Sequence, residues 1–178
     1  PVHSCPPSFF RYPKAKRASR PLLNLLHVGT LGPHHLRRKE VVHTLLQRQR
    51  ISFRHATTTS AQQAAELYAG SALALNVPLN NDLNHRFFEI MAAGSPQIVL
   101  GNPALVGPHH EFASRPDVFW AKDVEQVEAL AEQLIATPVA LRGIPVKSPP
   151  YHPLPKLLKQ VFRHQPDPVL REVVLNSL

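Results

Sequence analysis

The sequence predicts an α/β fold, a parallel sheet with helices on both faces, from three observations. Strand-sized apolar runs alternate along the chain with amphipathic stretches of helical spacing. Two of those helical stretches open on Ser60 or Asp123 with a glutamine three residues on, the spacing at which side chains satisfy free backbone donors at a helix start. Polar segments rich in glycine and asparagine follow the apolar runs, where the loops of a strand–helix–strand unit lie.

In chain order, residues 1–21 read as a basic, proline-rich linker or the remnant of an interdomain segment, carrying Arg11, Lys14, Lys16, Arg17 and Arg20. Leu22–Val28 is a buried strand closed by the turn Gly29-Thr30-Leu31-Gly32-Pro33. Residues 36–47 have helical spacing, with Val41 and Leu45 on one face and Val42 and Leu46 beside them. A short strand is expected at 51–53. After the start at Ser60 and Gln63, Ala61, Ala64, Ala65 and Tyr68 follow at helical spacing, and Gly70 offers a left-handed stop. Residues 72–77 are the third strand, 84–93 a helix ending at Gly94-Ser95-Pro96, Gln97–Leu100 the fourth strand and 118–120 a fifth. The last helix, 124–135, turns Val127, Leu130, Ala131 and Leu134 inward and stops at Thr137-Pro138. The folded domain is thus expected over 22–137. Residues 138–178 read as a proline-rich extension with a short helix near 154–162.

A chain of 178 residues is long enough for one domain with a proper core, and 43% apolar with 18% charged residues argues against wholesale disorder. The chain begins at Pro1 with neither an initiator methionine nor a secretory pattern, and reads as a piece of a longer polypeptide or a processed one. No apolar run approaches the roughly 20 residues that span a bilayer. Cys5 is the single cysteine, so an internal disulfide is impossible, and a lone thiol fits a reducing, cytoplasmic setting. A formal net charge of +8 attracts phosphates, whether on nucleic acid, on an anionic membrane surface or on a sugar nucleotide. The basic runs, including Arg37-Arg38-Lys39, equally suit a solvated face.

In an open parallel sheet, ligands bind outside the carboxyl ends of the strands, where strand order reverses. The loops there are 29–35, 54–59, 78–84 and 101–110. In the first, glycines let the backbone approach a phosphate while the next helix start offers free amides, although the pattern is not GxGxxG. In the third, Asp82 or Asn84 can cap the following helix. On that helix Arg86, Glu89 and Ala93 share a face, while Phe87 and Ile90 belong to the core. An arginine there can pair with a diphosphate, and a carboxylate can accept both hydroxyls of a ribose. Spacing alone also allows a surface Arg–Glu pair.

The stretch Leu73-Ala74-Leu75-Asn76-Val77-Pro78, with Asn80-Asn81-Asp82-Leu83-Asn84-His85-Arg86-Phe87-Phe88-Glu89-Ile90-Met91-Ala92-Ala93-Gly94 after it, resembles the signature of group 1 glycosyltransferases. It is nearest to the branch of CgeB-like spore maturation proteins, where a strand ending in Asn leads through a loop to Arg-x-x-Glu and a small-residue turn. The resemblance covers roughly 22–135. It implies one half of a GT-B architecture: a Rossmann-like domain that binds a nucleoside-diphosphate sugar and faces an N-terminal domain of the same or a companion chain. By that resemblance Glu89 binds the donor ribose, Gly29 and Thr30 line the diphosphate, Arg86 neutralises phosphate charge and the loop at His55 approaches the nucleobase. Asn76, Asn80 and Asn84 join the donor-binding edge. The class usually uses neither a cofactor nor a bound metal, because side chains and helix dipoles stabilise the leaving diphosphate. Many retaining members carry Glu-x7-Glu, whereas here Asn81 stands eight residues before Glu89. No catalytic residue is assigned. The acceptor domain is expected outside this chain, and if the family's general base lies there, the chain alone should bind donor and turn over little or nothing.

Three other readings are weighed. His34-His35 and His109-His110 sit in loops on one edge, but adjacent histidines point apart and no cysteine or carboxylate cluster accompanies them, against a metal site. Nucleic-acid binding draws on the charge, yet aromatics and cations interleave only around Phe9, Phe10 and Tyr12 and no nucleic-acid motif is present. A degenerate transferase domain kept as an interaction module is the third. A serine–histidine–acid triad has no support, since no G-x-S-x-G occurs.

Overall fold

Strands and helices alternate in the computed structural model, which describes residues 12–13, 15–79, 83–104 and 114–137. In order they are β1 (Leu22–Val28), α1 (Leu36–Arg48), β2 (Phe53–Ala56), α2 (Ala61–Ala69), β3 (Ser71–Asn76), α3 (His85–Ala92), β4 (Gln97–Leu100), β5 (Val118–Ala121) and α4 (Val124–Ala136). The strands form one sheet in the order β2-β1-β3-β4-β5, with every neighbouring pair parallel. This is the α/β, Rossmann-like arrangement the sequence predicts. The chain first steps from β1 to β2, then crosses back to β3. Strand order therefore reverses between β1 and β3, which makes their carboxyl ends the switch point.

Two apolar layers hold the helices to the sheet. On one face Leu25, Leu73, Leu75, Ile98 and Leu100 pack with Val41 and Leu45 of α1 and with Val127 and Ala131 of α4. On the other, Leu26, Val28 and Ala74 meet Ala65 and Tyr68 of α2 and Ile90 of α3. Phe87, Phe88 and Met91 complete that layer over Val99 and Val118. β3, flanked on both sides, is buried along its whole length, as its apolar run demands.

Both capping serine and aspartate behave as their spacing predicts. Ser60 Oγ accepts from Gln63 N at 3.2 Å, and Asp123 Oδ1 from Gln126 N at 2.8 Å. The glutamines reach back one residue further than the cap itself, to the amides of Thr59 and Lys122. At the other end of α1, Arg48 binds Glu125 and the buried Glu128 of α4, at 2.7 and 3.1 Å, and so ties the two helices of that face together.

Some details differ from the expectation. β2 runs over 53–56, not 51–53, because pairing with β1 decides it: Leu25 to Val28 stand opposite Phe53 to Ala56. An edge strand with one neighbour needs no continuous apolar run, so Arg54 and His55 are admitted. Gly70 is right-handed, with φ −84°, because its N–H closes back onto Glu66 and β3 begins at the next residue. Leu46 is exposed, since Val41, Val42 and Leu45 already fill the buried stripe of α1.

Residues before β1 lie against the sheet's amino edge. The Arg17 guanidinium donates to Ala72 O, Gly94 O and Ser95 Oγ at 3.0 to 3.2 Å, and Ala18 N bonds Ala69 O. The expected helix near 154–162, the His109-His110 pair and Asn80 fall outside the described residues. Among those described, no helix is long and apolar enough to cross a membrane.

Candidate functional site

β1 ends at Val28, and Gly29 follows with φ +147°, a conformation that side-chain-bearing residues rarely adopt. There is also no room for one. A Cβ on Gly29 would lie 2.9 Å from Arg86 Cζ and would collide with Arg86 Nη2. The turn favours the glycine, and a side chain there would push the guanidinium aside. Thr30 follows, exposed.

Arg86 reaches this point because of how α3 leaves the sheet. Asn76, the last residue of β3, and Asn84 exchange side-chain amide bonds in both directions at 3.1 Å. Asn84 Oδ1 also accepts from Phe87 N at 3.1 Å, capping α3. The paired asparagines fix the start of the helix at the switch point, and Arg86 stands in its first turn. Phe87 and Ile90, both fully buried, hold the opposite side of that helix in the core.

The Arg86 guanidinium turns inward beside the buried Tyr68 hydroxyl and acts on it electrostatically, while that hydroxyl donates to Val28 O. No ion pair joins Arg86 to Glu89 among the described residues, so the surface pair that spacing allowed does not form. Glu89, one turn on and half-buried, acts electrostatically on Tyr68 instead. Arg86 Nε and Nη1 are buried without a hydrogen-bond partner, as are Arg38 Nε and His27 Nε2. An unpaired desolvated donor costs on the order of 1–3 kcal/mol, and more where it is charged.

His27 and His55 stand opposite each other in the register of β1 and β2. Their rings stack at 5.3 Å, and the two Nδ1 atoms approach to 3.1 Å, a distance that requires one proton between them. His55 therefore lies in the edge strand rather than in the loop where it was expected, for the pairing reason given above. Burial, followed by the charges of Arg86, His55 and Arg38, pushes the His27 imidazole down to about 2. Burial and then Arg86 lower Arg38 to about 10. Burial raises Tyr68 to about 12, against the pull of Arg86. Desolvation is the first cause of each shift, and the neighbouring cations add to it for His27 and Arg38 and oppose it for Tyr68.

Of the residues expected at the site, Gly29, Arg86, Glu89 and His55 gather around this cluster, while Asn76 and Asn84 set its frame. Sequence reasoning missed His27, Arg38 and Tyr68. His27 is hidden in an apolar run, Arg38 in a basic run that reads as solvated, and Tyr68 in a helix face that reads as plain core. The registered signal was the histidine itself, polar in a strand buried on both faces. Among the described residues, no three histidine, cysteine or carboxylate side chains come together to hold a metal ion. The cluster presents donors and positive charge, and its complement is an anion rich in acceptor oxygens.

A family model described as glycosyl transferase-like matches residues 12–145. The chain belongs to that family. No curated protein and no solved structure gives a significant match. Membership in a glycosyl transferase-like family supports a role in sugar transfer and implies a sugar donor and an acceptor. The matched span includes the segment around Arg17 as well as all the strands and helices named above.

Proposed function

We propose that this domain binds a nucleoside-diphosphate sugar at the β1–β3 switch point and, with an N-terminal domain of the same or a companion chain, transfers the sugar to an acceptor. The observation that carries this reading is the buried Arg86 guanidinium, laid against Gly29 with Nε and Nη1 unpartnered. A diphosphate would satisfy those donors and offset the mutual repulsion of Arg86 and Arg38. Gly29 and Thr30 would meet the phosphates with backbone and hydroxyl. Glu89, half-buried one turn further, would accept the ribose hydroxyls. His55, at the outer strand, borders the nucleoside side, and Asn80 would close the same edge.

As the glycosidic bond breaks, negative charge builds on the leaving diphosphate, and fixed guanidinium donors in a desolvated place stabilise it without reorganising. Arg-x-x-Glu on the helix suits the CgeB-like branch, and the neutral Asn81 in place of a first glutamate is compatible with it and leaves the stereochemical outcome open. Calorimetric titration with UDP, GDP and their sugars tests the reading. Binding that is weakened in Glu89→Ala by about 1–3 kcal/mol, with the melting curve unchanged, is the expected result for lost charge-assisted hydrogen bonds. Absence of nucleotide binding at millimolar concentration, with salt-sensitive binding to random DNA in its place, would favour a nucleic-acid-binding protein. Absence of both would leave an interaction module.

A further inference from the structure

We propose that Arg38 is a second phosphoryl contact of the switch-point site, and that Arg38 and Arg86 together select two linked phosphates over one. This rests on the donor reading above. Arg38 lies in the first turn of α1, yet it is buried, with 6% of its surface exposed, while Arg37 and Lys39 on either side of it are exposed. Its Nε has no hydrogen-bond partner, and its bond from Nη2 to Val77 O, at 3.4 Å, is near the limit of a useful length. An incoming acceptor displaces such a bond at little cost.

Among the described residues neither Arg38 nor Arg86 has a carboxylate partner. Burial and then the charge of Arg86 bring Arg38 down to about 10, so it still carries its proton at neutral pH. Two like charges held desolvated without a counterion destabilise a fold, and an anion that takes up their free donors offsets that cost.

The two guanidiniums come to the crevice from opposite faces of the sheet. α1 packs on the side of Leu25 and Leu73, and α3 on the side of Leu26 and Ala74. Arg38 reaches Val77, the residue after β3, and Arg86 lies against Gly29, the residue after β1. β1 and β3 pair with Leu26 opposite Ala74, and the same register continued along both strands brings Gly29 level with Val77. Paired strands lie about 4.8 Å apart, so the guanidiniums are seated at adjacent strand ends. One phosphoryl group on Arg86 leaves the Arg38 donors unfilled. A second, joined to the first through a bridging oxygen, meets them. α1 also opens without a side-chain cap, so its free amides bring further positive charge to the same edge.

Titration calorimetry on the chain compares UDP with UMP, GDP with GMP, and pyrophosphate with inorganic phosphate. The parent is expected to bind at least one diphosphate about tenfold or more tighter than its monophosphate, the scale of a hydrogen bond to a charged group. In Arg38→Met that ratio should fall toward one, because only the second phosphoryl group loses its contact. The ratio is taken within one protein, so a general loosening of the site cancels from it. The urea midpoint of Arg38→Met should hold or rise, since an apolar side chain replaces an unpaired buried charge. Equal affinity for diphosphates and monophosphates in the parent would overturn the proposal, whether or not the variant folds. So would an unchanged ratio in Arg38→Met, which with a lowered midpoint would leave Arg38 to the fold alone. Nucleotide binding without a diphosphate preference removes this inference and leaves the donor site. Pyrophosphate binding that depends on Arg38, with no nucleotide bound, removes the donor reading and leaves a diphosphate site. Binding of none of the six removes both.

Discussion

Gly29 is the residue at which backbone and site chemistry meet. Its φ of +147° disfavours any side chain, and the Arg86 guanidinium fills the space a Cβ would take. Gly29→Ala should destabilise the fold by about 1–3 kcal/mol through backbone strain and should also displace Arg86, so that nucleotide affinity falls with stability. Equal urea midpoints for variant and parent would contradict the strain. His27 makes a second prediction. Its folded-state pKa is held far below its unfolded value, near 6.5, so between about 2 and 6.5 the unfolded chain binds the extra proton. That contribution to stability is complete above pH 6.5 and is lost as pH falls, at up to about 1.4 kcal/mol per pH unit for one histidine. His55, shifted the same way, adds to it. Urea midpoints at pH 7.5, 6.5 and 5.5 should drop in order, and His27→Gln should flatten the trend. A midpoint that rises on acidification would refute this assignment.

At the scale of elements, Asn84 carries more than its cap. Its side chain serves Phe87 N and both halves of the exchange with Asn76. Asn84→Ala should cost about 2 kcal/mol, the sum expected for a lost cap and an orphaned buried amide, whereas Asn84→Ser should recover the capping share. If Ala and Ser variants unfold alike, the cap contributes nothing. How much was legible in the sequence differs by element for physical reasons. β1, β3 and β4 are buried on both faces and write themselves as apolar runs, and Ser60, Asp123 and Asn84 announce helix starts through local bonds. β2 is legible only in part, because an edge strand is defined by its partner and carries polar residues such as Arg54 and His55. Helix α3 was readable as a strip, with Phe87 and Ile90 inward and Arg86 and Glu89 at the edge. That Arg86 turns inward to Gly29 and Tyr68, however, depends on side chains from β1 and α2, which periodicity along one helix does not register. His27 and Arg38 were missed for the same reason. Each looks local and joins the cluster only through residues far off in the chain.

For the whole molecule, strand order converts the alternation of elements into one edge, with a buried cationic cluster at the carboxyl ends of β1 and β3. The net charge of +8 is not spread evenly over a solvated surface. Arg17 staples the amino edge, Arg48 and Arg50 hold Glu128, and Arg38 and Arg86 are desolvated at the switch point. A charge distribution used this way argues for an anionic small molecule over a nucleic-acid face, in keeping with the glycosyl transferase-like family. The unpaired Arg86 donors are the proposed seat of a diphosphate. Titration calorimetry with UDP or GDP on the parent chain and on Arg86→Lys tests it most directly, since lysine keeps the charge and removes the planar set of donors. The account predicts nucleotide binding in the parent and a loss of about tenfold or more in Arg86→Lys at unchanged fold, the scale of a charge-assisted hydrogen bond. Equal nucleotide affinity in the two proteins would contradict it.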